Sequence, residues 1–195
     1  MVSPSQVTPS DVRERLLRAT LACVERWGLT KTSVEDIARE AGCSRATVYR
    51  HFPGGREELV RATVEWEVDR FFRRIEARIA EQPDLASKLR VGLVFGHRAI
   101  REHELLQRVL RTEPDALLEE LSQVVPTIEQ LMRTYLLALL RAERLQLGID
   151  VAAAADYLMR LFLSYLGSPG RWDLTDDAEV DRLVRTQFLA GIISG

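Results

Sequence analysis

The segment Ser33–Phe52 constrains the fold most, because it has the pattern of two short amphipathic helices separated by a tight turn. Apolar residues recur at intervals of three and four and predict one buried helix face: Val34, Ile37, Ala38 and Ala41. Ser33 followed by Asp36 predicts a capping box at the start of this helix. Gly42 can adopt the left-handed conformation that a sharp turn out of the helix requires. The pattern predicts a helix-turn-helix, a motif with which many proteins read DNA.

The second helix of this pair follows the capping residue Ser44 and carries cations but no acids. No Asp or Glu lies between Ala41 and Arg56, whereas Arg45, Arg50 and Arg56 are cationic. Side chains of Arg, Tyr, Thr and His, all present in this stretch, hydrogen bond to phosphate oxygens and base edges. We therefore predict that this helix binds DNA. The alternative is a solvated helical hairpin whose arginines only raise its solubility.

The overall charge is close to neutral, which favours a local DNA-binding patch over a protein that coats nucleic acid. The chain has 195 residues and a formal net charge of −2. That length allows one or two domains, with a small reading head and a larger core. No run approaches the roughly 18 apolar residues of a membrane helix, and no signal peptide opens the sequence. We therefore expect a cytoplasmic protein without a membrane partner.

Residues 1–9 are rich in Ser, Pro and Thr and carry no Lys or Arg, so we expect a disordered segment rather than a minor-groove arm. The two cysteines, Cys23 and Cys43, are too few and too far apart for a zinc site, and we predict no metal and no cofactor. Cys23 lies on an apolar helix face. Cys43 lies in the predicted turn, where a redox switch and a semi-buried structural thiol are both open.

Apolar residues at helical spacing continue along the rest of the chain, and no alternating strand pattern competes with them. The predicted fold is all-α with about nine helices. Besides the helix pair, the predicted helices are 11–27, 56–81, one that begins at 84, 104–111, 115–125, one that begins at 126, 151–166 and 177–193. The helix 151–166 is apolar on nearly all sides, so we expect several neighbours to bury it.

Three features follow one another in a recognisable order: a first helix, a capped helix-turn-helix that ends in Thr47-Val48-Tyr49-Arg50-His51-Phe52, and a break followed by Arg-Glu-Glu-Leu. On these motifs, residues 12–64 closely resemble the TetR family of bacterial regulators. The C-terminal two-thirds resembles the family only in helix number, helix lengths and two strong final helices. The family often has an Asn, Ser or Asp and a Lys where this chain has Pro53-Gly54-Gly55-Arg56.

The resemblance implies a helix-turn-helix DNA-binding domain at residues 10–55 and a ligand-binding and dimerisation domain at residues 56–195. It implies a homodimer whose last two helices form a four-helix interface, a ligand cavity among the central helices, and repression that a small molecule relieves. Such a dimer is expected to bind double-stranded DNA at a pseudo-palindromic operator. Its half-sites would lie about one helical turn, or a multiple of it, apart.

The candidate DNA contacts lie in the helix pair and in the segments on either side of it. They are Lys31, Thr32, Ser33, Ser44, Arg45, Ala46, Thr47, Tyr49, Arg50, His51 and Arg56. Three of them match family positions that commonly reach phosphates: Thr47, Tyr49 and His51. Arg45 suits a guanine edge or a phosphate, and both remain open. Thr32 and Ser33 are either phosphate contacts or helix caps, and Arg56 is expected to contact a phosphate.

Two glycines inside an otherwise favourable helix indicate a special local requirement. Gly92 and Gly96 each cost about 1 kcal/mol relative to Ala; they admit a neighbouring helix, open space for a ligand or act as a hinge. The candidate ligand contacts nearby are Leu93, His97, Ile100, Leu106, Leu110, Met132, Tyr135, Leu139 and Phe162. Each of these also fits an ordinary core position. Few ionisable groups occur among them, so a bulky apolar ligand is favoured over a sugar or a phosphate.

The last two predicted helices carry more apolar surface than a monomer is expected to expose. The candidate dimer contacts are Tyr157, Leu158, Leu161, Tyr165, Leu183, Val184, Phe188 and Gly191. The small Gly191 continues the apolar stripe of the last helix and would permit close helix approach. The alternative is that these residues pack only within one chain.

The sequence contains no Ser/His/Asp or Cys/His arrangement at telling spacing, no Gly-rich phosphate loop and no paired-carboxylate motif. We therefore predict a DNA-binding transcriptional regulator and not an enzyme. The favoured form is a homodimeric repressor that a small, mainly apolar effector releases. A constitutive DNA-binding dimer without an effector and a transcriptional activator are the alternatives, and repression rests on the family resemblance alone.

Overall fold

The computed structural model describes residues 9–193, and that part of the chain contains nine α-helices and no β-strand. The helices are α1 (Pro9–Trp27), α2 (Val34–Glu40), α3 (Arg45–His51), α4 (Gly55–Ala80), α5 (Leu85–Glu102), α6 (Glu104–Thr112), α7 (Pro114–Arg141), α8 (Val151–Gly167) and α9 (Asp177–Leu183). A π-helical turn, Val184–Phe188, continues α9. The predicted all-α class is confirmed. The expectation of disorder falls on residues 1–8, which lie outside the described range.

Short polar side chains begin several of these helices where the sequence predicted them. Ser33 Oγ accepts a hydrogen bond from Asp36 N–H, and Ser44 Oγ accepts one from Thr47 N–H, both at 3.2 Å. Asp84 caps α5 in the same way. Each cap satisfies a backbone donor that the first helical turn leaves free. Helix starts therefore follow from local sequence.

α7 differs from the two helices that were predicted on either side of Pro126. It runs without interruption from Pro114 to Arg141. Proline fixes φ at a helical value and removes one backbone donor, so it weakens a helix without always ending it. Buried side chains on both sides of it, Val124 and Leu136, anchor the helix.

The final helix is shorter than predicted. α9 ends at Leu183, the π-helical turn ends at Phe188, and Gly191 then adopts a φ of +77°. A Cβ on Gly191 would meet none of the described atoms outside its chain neighbours within 4 Å. Gly191 therefore serves a turn, and the predicted close helix approach at this residue is wrong.

The described residues form two compact units, each with its own apolar core. The first unit ends at Asp69 and also includes Arg108–Val124, and its fully buried side chains include Leu16, Ile37, Val48, Phe52 and Leu59. The second unit comprises Arg70–Gln107 and the chain from Val125 onward, with Leu93, Leu140, Leu158 and Phe188 in its core. The first unit thus contains the described part of residues 10–55 and two further segments. The functional boundary between residues 55 and 56 stays a prediction.

Within residues 9–193, every helix is too short or too polar to cross a membrane. The cytoplasmic location stays a prediction.

Candidate nucleic-acid interface

Helices α2 and α3 have the geometry of a helix-turn-helix. Gly42 adopts a φ of +62°, and Cys43 N–H donates to Ala38 O at 2.9 Å, which turns the chain out of α2. Ala38 and Val48 are both buried in the core of the first unit. The small Ala38 side chain lets the helices approach, and the branched Val48 side chain fills the core beside them.

The opposite face of α3 is open to solvent. Four predicted DNA contacts on this helix are exposed: Arg45, Ala46, Tyr49 and Arg50. Thr47 and His51 are half-buried, and the exposed Ser44 caps the helix. The predicted contacts of α3 therefore share one accessible region, and the segment 41–56 that carries them contains no acid.

Arg45 forms an ion pair across the helix-turn-helix. Its Nη1 lies 2.7 Å from Glu35 Oε1. Glu35 is in the first turn of α2, and Arg45 is the first residue of α3. The Arg45 side chain is 61% exposed and that of Glu35 is 51% exposed. The guanidinium therefore stays accessible while one of its nitrogens is held.

The break between α3 and α4 forms a tight seat for Tyr49. Gly55 has a φ of +66°, and a Cβ on it would lie 3.2 Å from Tyr49 Cε1. Gly54 N–H donates to Glu58 Oε2 at 2.7 Å, and Gly55 N–H donates to Phe52 O at 2.9 Å. The two glycines that depart from the family pattern thus form a hydrogen-bonded turn. Glycine suits position 55 because it combines a positive φ with a close aromatic contact.

The loop between α1 and α2 carries three predicted DNA contacts that differ in exposure. Lys31 is exposed, and the half-buried Ser33 caps α2. Thr32 is only 1% exposed, and its hydroxyl donates to Gly28 O at 2.7 Å. Of the two roles considered for Thr32, this geometry supports the structural one.

Arg56 is tied to the same loop. Its Nε donates to Thr32 O at 2.9 Å, and its Nη2 donates to Leu29 O at 2.6 Å. The half-buried guanidinium therefore fixes the loop that precedes α2, a role that sequence analysis did not assign to it. A contact between Arg56 and a DNA phosphate stays a prediction.

Glu113, which sequence analysis missed, also holds this loop. Its carboxylate accepts hydrogen bonds from Leu29 N–H at 2.9 Å, Thr30 N–H at 2.7 Å and the Thr30 hydroxyl at 2.5 Å. Burial raises the pKa of Glu113, but these hydrogen bonds outweigh burial and hold the pKa below its ordinary value. No local pattern marks this residue, because its partners are 83 and 84 positions away.

Arg108 makes a second long-range contact in the first unit. Its Nη2 donates to Val24 O at 3.3 Å and also to Glu25 O. These carbonyls lie near the end of α1, where a helix leaves acceptors free and a cation is favourable. Arg108 and Glu113 together connect the α6–α7 region to the end of α1 and to the loop that follows it.

The second unit contains a separate candidate site, a cavity of 60 Å³. Four predicted ligand contacts line it: Met132, Tyr135, Leu139 and Phe162. Side chains of α4 that the prediction omitted also line it: Phe71, Phe72, Ile75 and Ile79. Burial raises the pKa of Tyr135, and the charge of Glu76 raises it further, so the phenol stays protonated at neutral pH. Ligand pockets usually measure about 300–1,000 Å³, so a bulky ligand requires this cavity to open.

The cavity does not include the other five predicted ligand contacts: Leu93, His97, Ile100, Leu106 and Leu110. Leu93 is fully buried in the core, Ile100 is exposed, and Leu110 belongs to the first unit. His97 is buried, and its Nδ1 has no hydrogen-bond partner among the described residues. Burial, followed by the charge of Arg101, lowers the pKa of His97 and keeps it neutral. Helical spacing alone did not distinguish cavity-lining residues from core residues.

Gly92 and Gly96 allow α8 to pack closely on α5. A Cβ on Gly92 would lie 3.5 Å from Phe162 Cε1, and a Cβ on Gly96 would lie 3.0 Å from Leu166 Cδ2. Both glycines also line the cavity. Of the explanations considered for these glycines, the geometry supports helix approach directly.

Four predicted dimer contacts are fully buried within the single chain: Leu158, Leu183, Val184 and Phe188. The Phe188 ring packs edge-to-face on Phe162 with centroids 5.1 Å apart. These four residues present no surface to a partner, because the chain uses them for its own core, and their assignment to an interface is corrected accordingly. The other four keep accessible surface: Tyr157, Leu161, Tyr165 and Gly191.

The two cysteines are in different environments. Burial raises the pKa of the Cys23 thiol to about 11, and the charges of Glu40 and Asp36 contribute in the same direction. Cys23 therefore stays a protonated, unreactive thiol at neutral pH. Cys43 is half-buried in the turn. No group of three or more His, Cys, Asp or Glu residues in the range 9–193 is arranged to hold a metal ion.

Comparison with known proteins gives a consistent result. Residues 16–63 match the family model described as bacterial regulatory proteins, tetR family. An uncharacterised HTH-type transcriptional regulator of Mycobacterium tuberculosis (strain ATCC 25618 / H37Rv) is 30% identical over 185 residues, which cover 93% of this chain and 85% of that relative.

Two solved structures share the fold. One, a TetR-family transcriptional regulator from Mesorhizobium loti MAFF303099, has a TM-score of 0.60 and 21% identity, covering 95% of this chain and 98% of that chain. The other, described as a SmeT–triclosan complex, has a TM-score of 0.57 and 24% identity, covering 94% of this chain and 92% of that chain.

Proposed function

The chain belongs to the TetR family of bacterial DNA-binding transcriptional regulators, and from this membership we propose that it is a homodimeric repressor of a palindromic operator, released by a small, mainly apolar ligand. The observation that carries the proposal is the accessible face of α3. Arg45, Tyr49 and Arg50 are exposed there in a segment without acids. Such a face suits the major groove, where cations contact phosphates and base edges.

Selection of bound fragments from a random pool of duplex DNA tests the DNA-binding part. The expected result is an enriched pseudo-palindrome with half-sites about one helical turn, or a multiple of it, apart. Failure to enrich any sequence at moderate salt contradicts the proposal. Matched measurements with the Arg50→Ala variant are expected to weaken binding, because they remove an exposed cation of α3.

A dimer is supported by the accessible apolar side chains of α8. Tyr157 is 44% exposed, although its hydroxyl donates to Gln187 O at 2.7 Å. Leu161 and Tyr165 are half-buried in the single chain and offer further apolar surface. Light scattering is expected to give twice the chain mass, and Leu161→Glu is expected to lower it toward one. A wild-type monomer at micromolar concentration contradicts the dimer.

An apolar ligand is supported by the side chains that line the cavity. Aromatic and aliphatic groups from α4, α7 and α8 surround it, among them Phe71, Met132 and Phe162. One structural relative is described as a complex with triclosan, so triclosan is a suitable first probe within a panel of apolar compounds. The expected result is a rise in melting temperature together with release of operator DNA.

Two leucines of α7 provide a matched pair for this test. Leu139 lines the cavity, whereas Leu131 is 38% exposed and does not line it. Leu139→Trp is expected to fill the cavity and abolish the response to the compound, whereas Leu131→Trp is expected to preserve it. Equal responses of the two variants contradict the cavity as the ligand site.

Helix α4 is the proposed transmitter between ligand and DNA. Its first turn carries Arg56, which holds the loop before α2, and its later turns carry Phe72 and Ile75, which line the cavity. A ligand acts only by favouring a state in which the two recognition helices no longer match adjacent grooves.

The small size of the cavity favours one second candidate, a constitutive DNA-binding dimer without an effector. A volume of 60 Å³ holds no drug-sized molecule in the present conformation. An operator complex that no compound of the panel dissociates or stabilises would support this second function over ligand-released repression.

A further inference from the structure

We infer that Glu35 determines the sequence specificity of the DNA-binding surface: its carboxylate holds Arg45 for a guanine edge and keeps that guanidinium from binding phosphates indiscriminately. The inference rests on the proposed binding of a specific operator. It also decides between the two roles that the sequence left open for Arg45. The observation behind it is the 2.7 Å ion pair between Glu35 Oε1 and Arg45 Nη1.

The pair is poorly explained as a stabilising contact. Both side chains are more than half exposed, and exposed ion pairs contribute only about 0–1 kcal/mol to folding. Its position is more informative than its strength. Arg45 is the first residue of the recognition helix, the end that enters the major groove first, and Glu35 reaches it from the preceding helix.

The geometry leaves a useful part of the guanidinium free. Arginine has five N–H donors in a planar fork, and the ion pair engages the Nη1 side. The Nε and Nη2 groups of Arg45 remain for a bidentate contact with O6 and N7 of guanine. A carboxylate that restricts a long, flexible side chain to one orientation reduces the entropy lost when that contact forms.

The same carboxylate disfavours contacts with the DNA backbone. To bind a phosphate, Arg45 must leave Glu35, and the freed carboxylate then lies near other phosphates of like charge. On the operator, the guanine contact compensates for this repulsion; on random DNA nothing does. Glu35 therefore weakens binding to random DNA more than binding to the operator, which is a form of specificity by exclusion.

Glu35→Gln tests the inference against a matched control, Glu40→Gln. Glu40 lies on the same helix and removes the same charge, but its partner is Arg26 of α1, at 3.3 Å. Affinities for the selected operator and for a random duplex are measured over a range of salt concentrations, after thermal melts show that both variants fold.

Glu35→Gln is expected to raise the affinity for random DNA about threefold to tenfold and to steepen the salt dependence by about one phosphate contact. The ratio of operator to random affinity is expected to fall about tenfold, because one guanine preference is lost. Glu40→Gln is expected to change this ratio less than about twofold.

Arg45→Lys is the second variant, because lysine keeps the charge and lacks the fork. It is expected to lose a guanine preference at one position of each half-site while its affinity for random DNA stays near that of the wild type.

Two results overturn the inference: a Glu35→Gln ratio equal to that of the wild type, or one equal to that of Glu40→Gln. A wild-type protein that enriches no sequence would instead refute the proposed operator binding itself, together with this inference. An enriched wild-type operator with an unchanged Glu35→Gln ratio refutes the role of Glu35 alone.

Discussion

The carboxylate of Glu113 accepts hydrogen bonds from both the backbone N–H and the hydroxyl of Thr30, residues that are 83 positions apart in the chain. This contact attaches the start of the α6–α7 region to the loop that precedes the helix-turn-helix. Arg56 donates to two carbonyls of the same loop, so side chains from two distant segments fix it. The orientation of the DNA-reading helices therefore depends on residues that lie outside them.

Glu113→Ala is expected to lower the free energy of unfolding by about 1–3 kcal/mol, because the N–H groups of Leu29 and Thr30 lose their acceptor. Denaturant titration at neutral pH measures the loss. Glu119→Ala on α7 is the control, because its side chain is exposed, and it is expected to change stability by less than about 0.5 kcal/mol. Equal stabilities of the two variants would contradict the role of Glu113.

The contribution of Glu113 is also expected to depend on pH. Its pKa in the folded protein is lowered, because hydrogen bonds to its charged form outweigh burial. A lowered pKa stabilises the fold above the unfolded-state pKa of about 4.3, and the stabilisation is lost as the pH falls through the folded-state pKa. The stability difference between wild type and Glu113→Gln should be constant from about pH 7 to about pH 6 and should shrink below about pH 4. A difference that is as large in acid as at neutral pH rules this out.

Variants of Arg56 separate its structural role from the proposed phosphate contact. Arg56→Ala is expected to weaken binding to operator and random DNA similarly and to reduce the salt slope by about one. It is also expected to lose about 1–3 kcal/mol of stability with the bonds to Thr32 and Leu29. Arg56→Lys should keep the salt slope but not the stability. An unchanged slope in Arg56→Ala removes this residue from the phosphate contacts.

Gly55→Ala is expected to weaken DNA binding through Tyr49. The new Cβ would lie 3.2 Å from the Tyr49 ring at a φ of +66°, which costs roughly 1–2 kcal/mol for a residue other than glycine. Gly148→Ala has a similar backbone penalty at +86° but meets none of the described neighbours within 4 Å. Both variants should lose stability, whereas only Gly55→Ala should lose affinity for DNA in a fluorescence titration. A loss of affinity in both would point to a general effect.

The two cavity glycines are expected to respond differently to alanine. At Gly92 the new Cβ would make ordinary contacts at 3.4 Å to Ile79 and 3.5 Å to Phe162, so better helix propensity should raise stability by about 0.5–1 kcal/mol. At Gly96 the Cβ would lie 3.0 Å from Leu166, which must move, so the gain should be smaller or reversed. Thermal melts compare them, and a Gly96→Ala protein more stable than Gly92→Ala contradicts this packing.

The sequence by itself determined the features that depend on near neighbours. Ser33 and Ser44 cap helices through residues three positions away, and Gly42 turns the chain through its own φ. The exposed face of α3 follows from helical periodicity around the buried Val48. These features are local because hydrogen bonds of a helix and its caps span only three or four residues.

Only the tertiary structure decided the rest. Helical spacing shows that Leu158 and Phe188 lie on apolar faces, but not whether the same chain or a second copy covers those faces; here the same chain does. Nor does any pattern connect Glu113 with Thr30, because a carboxylate on a polar helix end looks the same whether it is solvated or bonded. Apolar burial has no preferred direction, and polar contacts between distant segments depend on how the helices pack.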